Sequence, residues 1–122
     1  MTYSEDLVAV GRERMAVWKE RAGQDADRAI AEGISFQNLE DLVPESAEEQ
    51  DVQAVLVYQL PSGGWHCDIL FSGRDGAQGA SIGTPEAERL DSKRAAERAG
   101  FALLIGILAV VRRRRVGQAR PK

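Results

Sequence analysis

His66-Cys67-Asp68 is the one place in the chain where an imidazole, a thiol and a carboxylate stand together. A thiolate activated by an adjacent imidazole is a nucleophile, so the triplet raises covalent catalysis as a first question. It lies inside WHCDILF, whose apolar residues alternate as in a half-buried strand. Alternation sends Cys67 to one face and His66 with Asp68 to the other, so no thiol–imidazole pair forms within the strand. His66 and Asp68 can hydrogen-bond, but no serine or second cysteine is evidently placed for them to activate. Cys67 is expected in the core, as free cysteine usually is, and His66 half exposed.

The other chemical signatures are as thin. One histidine and one cysteine supply too few ligands for a zinc site. The glycines of SGRDGAQGASIG lack the Gly-Lys-Ser/Thr ending of a phosphate loop and sit between strands, where turn chemistry explains them. Glu48-Glu49 lies in an acidic connector, with no burial to adapt a carboxylate for proton transfer. The residues therefore point away from an enzyme, and no catalytic residue, metal or cofactor is expected.

Charge is the stronger signal. Residues 23–51 carry nine acids against the single base Arg28, and residues 92–122 carry nine bases against the single acid Glu97. The net charge of −3 thus hides an acidic middle and a basic end. Two basic clusters stand out: Lys93, Arg94 and Arg98, then the run Arg112, Arg113, Arg114 and Arg115. On one helix they lie roughly 30 Å apart, which suits two phosphate footprints on a duplex better than one compact site. The partners to expect are structured RNA or an acidic protein, including the acidic middle of another copy. A solvated helix end, where cations meet the negative dipole, accounts for the arginine run equally well.

The elements that must position these groups can be read in order. Ser4-Glu5-Asp6 suits a helix start, and Leu7, Val8, Gly11, Met15, Trp18 and Ala22 then share a face, opposite Arg12, Glu13, Lys19 and Glu20. This first helix is expected to end near Gly23, with a second piece from about Asp25 to Glu32 stopped by Gly33. Ser35 can cap a short turn through Leu42, closed before Pro44. Residues 1–44 thus form a helical region and 45–51 a solvated acidic connector. Residues 52–83 form three antiparallel strands: VQAVLVYQL, WHCDILF and a glycine-thinned AQGASIG. Pro61-Ser62-Gly63-Gly64 and Gly73-Arg74-Asp75-Gly76 are their turns. Thr84-Pro85 restarts helix over residues 85–115, as one piece or as two broken at Ser92. Residues 117–122 are expected to be a disordered tail.

The last helix is amphipathic at first and apolar all round from Phe101 to Val111. Ala95, Ala99, Ala102, Gly106 and Ala109 fall on a narrow stripe suited to close approach on a sheet. A helix apolar all round must be buried on more than one side, so a second layer is required. Phe101, Leu104, Ile105, Leu108 and Val111 are the candidate oligomer interface, and a homodimer through them is expected. The apolar run is too short to span a bilayer, and membrane contact is not expected. The whole describes one two-layer α+β domain over residues 1–116, a three-stranded meander packed against an N-terminal helical region and a long C-terminal helix. A single cysteine and an N-terminus without signal-peptide layout suit a cytoplasmic protein.

Helix, three antiparallel strands, helix is also the order of the double-stranded RNA-binding domain, and Ser92-Lys93-Arg94-Ala95-Ala96 with Ala99 resembles the opening of that family's second helix. The resemblance covers Val52 to about Leu108. It implies that Lys93 and Arg94 face phosphates flanking the RNA major groove. The family's further lysine is Glu97 here, followed by Arg98, and the loop between the first two strands reads PSGG without the family's histidine. The function expected is a small non-catalytic binding protein that contacts structured RNA, or else a protein-interaction module with no nucleic-acid role.

Overall fold

A computed structural model describes residues 8–9, 12–45, 47–72, 80–84 and 90–119. The protein is α+β. Helix α1 (Arg12–Ala31) is followed by a one-turn helix α2 (Gln37–Glu40) and a 3-10 turn at Glu49–Asp51. Strands β2 (Val52–Gln59), β3 (Trp65–Phe71) and β4 (Ala80–Gly83) then form the antiparallel meander, and helix α3 (Lys93–Ala119) ends the chain. A two-residue strand β1 (Val8–Ala9) pairs antiparallel with β2, giving the sheet order β1-β2-β3-β4.

The meander follows from the alternation. Val57 faces Cys67 and Val55 faces Ile69 across β2 and β3, and all four are fully or almost fully buried with Phe71 and Ile82. The tight turn closes on Gly63, whose φ of +93° favours a residue without Cβ. The turn expected at Gly73–Gly76, the first part of AQGASIG, Ser4–Leu7, and Pro85 to Arg89 lie outside the described residues.

The helices differ from expectation in extent. Val8 and Ala9 are strand rather than helix, and α1 starts at Arg12. It then runs unbroken through Gly23 to Ala31, so the two expected pieces are one helix. The stop at Gly33 is physical: its φ is +74°, and the amides of Gly33 and Ile34 bond back to the carbonyls of Ile30 and Ala29. At the other end of the chain, Ser92 caps α3 by accepting the amide of Ala95 at 3.0 Å. Leu90 is instead bridged to Trp65, so α3 begins at Lys93 and not at Pro85. Its backbone stays helical through Ala119, into the stretch expected to be a disordered tail.

The second layer over the apolar part of α3 comes from the same chain. α1 lies along α3, presenting Met15, Ala22 and Ala26 to the common core. Leu104, Ile107, Leu108, Val110 and Val111 are buried there. The face of α3 that meets the sheet is one residue round from the expected stripe. Gly100 sits on Cys67 and Val55, where a Cβ would collide with the Cys67 Sγ, and Ala96 is wholly buried. Ala102 is exposed, and Gly106 abuts Phe36 and Leu39 of the α2 segment rather than the sheet. Small residues occupy both stripes, and only packing decides between them. No helix among the described residues is long and apolar enough to cross a membrane.

Candidate binding groove between α1 and α3

Three groups of side chains could carry function. The first is the arginine run, and the fold consumes most of it. Arg112 donates through Nη1 to the Gly23 carbonyl at 2.8 Å, pairs with Asp27, and forks onto Glu49 through Nε and Nη2. The hydrogen bond to Glu49 is the main reason its pKa lies above the ordinary arginine value. Arg113 donates to the Ile34 carbonyl. Arg114 reaches the carbonyls of Glu40 at 2.8 Å, Pro44 at 2.9 Å and Val43 at 3.2 Å. Only Arg115 of the four is exposed. Arg112 to Arg114 therefore bind the chain's own backbone and acids, a correction to their expected role as a phosphate strip. The connector is corrected with them, because Glu49 is half-buried against Arg112 and Asp51 is buried, closing a capping box with Glu48.

The expected oligomer interface is likewise withdrawn in part. Leu104, Leu108 and Val111 are at most 4% exposed within a single chain, so no second copy can reach them. Phe101 and Ile105 are half-buried.

The second group lies on the sheet face away from α3. Tyr58 donates its hydroxyl to Asp68 Oδ2 at 2.7 Å, and His66 Nε2 meets Asp68 Oδ1 at 3.1 Å. Strand alternation places His66 beside Asp68 but does not reveal the third member, Tyr58. Thr84, beyond the end of β4, places its hydroxyl 3.1 Å from His66 Nδ1 and accepts the Cys67 amide at 3.3 Å. Hydroxyl, imidazole and carboxylate in line are the parts of a nucleophile–base–orienter relay. Here, though, Thr84 is 5% exposed, so a substrate carbonyl has no approach to its oxygen. Both ring nitrogens and both Asp68 oxygens are occupied, and the network braces β2, β3 and the end of β4 to one another. Cys67 on the opposite face is buried, and its thiol is pushed up to about 12, chiefly by burial. It is no nucleophile at neutral pH. Among the described residues no group of three or more His, Cys, Asp or Glu could hold a metal ion.

The third group is a groove of about 550 Å³ between α1 and the first half of α3. Trp18, Arg21, Gln24 and Asp25 come from α1, and Arg94, Glu97, Arg98 and Phe101 from α3. Trp18 and Phe101 meet edge to face, centroids 5.4 Å apart, and form an aromatic base. Arg21, Arg94 and Arg98 are exposed around it, and Asp25 leans toward Arg28 at 3.8 Å. Among the described residues, Arg21, Arg94 and Arg98 form no ion pair. Lys93 is exposed one residue before Arg94.

Of the expected binding residues, Lys93, Arg94 and Arg98 are thus the ones left facing solvent together, joined by Phe101. The residues that sequence reasoning missed are Trp18 and Arg21. The spacing of 94, 98 and 101 along one helical sector was legible, as was that of 18, 21 and 25 on α1. Which α1 residues stand opposite which α3 residues is a tertiary fact. Comparisons with known protein families, curated proteins and solved structures find no match for this chain.

Proposed function

We propose that the protein is a non-catalytic binding module whose α1–α3 groove receives an acidic segment of a protein partner. The observation that carries this is the groove's make-up: an aromatic base ringed by three guanidinium groups that form no ion pair among the described residues. Aromatic and arginine side chains are the types that anchor protein interfaces most strongly. A free guanidinium matches a carboxylate bidentately.

The rival partner is structured RNA held by Lys93, Arg94 and Arg98. The internal engagement of Arg112 to Arg114 weakens it, since the second footprint on a duplex is lost. The mixed charge of the groove, with Asp25 and Glu97 among its arginines, also suits a short segment carrying a few carboxylates better than the continuous phosphate line of a duplex.

Tryptophan fluorescence, followed while a short glutamate-rich peptide with one central leucine is added, tests the reading. Saturable binding is expected, with loss in Arg94→Glu/Arg98→Glu. Duplex RNA added in the same buffer should bind weakly. Tight duplex binding with a steep salt slope, or no saturable response to the peptide, would reject the proposal.

A further inference from the structure

We infer that the segment the groove receives is the ridge Glu40–Glu45 of a second copy of this chain. The inference rests on the reading of the groove as a site for acidic protein segments. Leu42 is 58% exposed, more than any other large apolar side chain among the described residues. Glu40, Asp41 and Glu45 around it are exposed as well. One apolar side chain among three carboxylates complements an aromatic base among three guanidinium groups.

The ridge is also held in shape before any partner arrives. Arg114 ties down the carbonyls of Glu40, Val43 and Pro44, and Val43 is buried at 2%. These contacts use backbone oxygens, so the carboxylates stay available while the backbone that carries them is fixed. A segment so preorganised loses little conformational freedom on docking.

The complementarity cannot be met within one copy. The groove lies at Arg94 and Arg98, whereas the ridge is fastened to α3 at Arg114. At 1.5 Å per residue, Arg98 and Arg114 stand about 24 Å apart along the helix. Groove and ridge are separate patches, so every molecule offers both halves of the contact, and the groove of one meets the ridge of another. It is also distinct from an interface through Leu104, Leu108 and Val111, which the fold itself hides.

Light scattering and sedimentation of the full chain, from about 10 μM to 1 mM, provide the test at a concentration range typical of weak association. Self-association weakened by salt is expected. Arg94→Glu/Arg98→Glu (groove reversed) and Asp41→Lys/Glu45→Lys (ridge reversed) should each raise the dissociation constant about tenfold or more, because like charges then face each other. Mixing the two should restore association, since each reversed patch then meets its opposite. Unchanged circular dichroism and melting of both variants would show that folding is not the cause.

A strict monomer at 1 mM, with the glutamate-rich peptide still bound, would overturn this inference and leave the groove reading standing. A monomer that binds no peptide would remove both. Self-association indifferent to both reversals, or no rescue on mixing, would place the contact elsewhere and overturn the inference.

Discussion

Replacing Arg112 by methionine distinguishes an arginine that holds the fold from one that holds a partner. Methionine keeps most of the apolar stem and removes the guanidinium. Two sets of bonds then disappear from a part-buried site: the fork onto Glu49 and the bond to the Gly23 carbonyl, a mid-helix oxygen of α1. Hydrogen bonds to charged groups contribute about 1.5–3 kcal/mol each. The Arg112 and Glu49 side chains are 26% and 28% exposed, so the lower end of that range applies to each. The pair with Asp27, a side chain 65% exposed, adds about 0–1 kcal/mol. The expected loss is therefore about 3 kcal/mol, a large part of the roughly 5–15 kcal/mol that holds a domain of this size. Urea denaturation should show a lower midpoint, and the melting temperature should fall by about 10 °C. Arg115→Met, at an exposed position of the same run, should stay within about 0.5 kcal/mol of the parent. A cycle with Glu49→Gln should return a coupling of about 1 kcal/mol or more. If Arg112→Met costs no more than Arg115→Met, the clamp is not what binds α3 to α1 and the 3-10 turn. The arginine run would then be free for another use.

Other expectations follow from the same contacts. Gly100→Ala brings a helix-propensity gain of about 1 kcal/mol against an overpacking cost of about 1–3 kcal/mol where its Cβ meets the Cys67 Sγ. Net destabilisation is expected by thermal melting, turning to stabilisation in a Cys67→Ala background; stabilisation in the parent would refute the close packing. The Cys67 thiol is raised from an ordinary 9.0 to about 12 by burial first, then by the charges of Asp68 and Glu97. A folded pKa above the unfolded one means this contribution is whole below pH 9 and is lost as pH rises from 9 toward 12. The stability gap between the parent and Cys67→Ala should shrink across that window, and the native thiol should not react with a disulfide reagent at pH 8. Tyr58→Phe removes the 2.7 Å bond to Asp68 and should cost about 1–2 kcal/mol in urea without changing peptide binding, because the network lies on the sheet face remote from the groove.

The molecule divides its positive charge between two tasks. At the end of α3, arginines fasten the helix to the backbone of residues 34–44, to α1 and to Glu49. At its start, Arg94 and Arg98 stand in solvent beside Arg21 and two aromatic rings. The bulk asymmetry of the chain, acidic middle against basic end, is partly satisfied inside the fold by Arg112 with Asp27 and Glu49. What remains outward is a groove with an excess of arginine and a ridge of carboxylates.

Local pattern alone determined several features. The alternation of Trp65 to Phe71 set which side chains enter the core and kept Cys67 apart from His66. Gly33 marked the end of the helical stretch before it, Ser92 was one of two starts left open for α3, and the greasy stretch from Phe101 to Val111 required two covering layers. These are consequences of periodicity and backbone preference, which act over a few residues.

Tertiary structure decided the rest, because it joins groups far apart in sequence. Gly23 reads as a helix stop, yet α1 passes straight through it, and the missing side chain leaves room for the Arg112 guanidinium, with which a Cβ would collide. Whether Ala99 or Gly100 faces the sheet, and whether an arginine is a ligand or a clamp, depends on what stands opposite. Glu49 and Arg112, 63 positions apart, meet only after the sheet and both long helices are packed, and no period in the chain encodes that meeting.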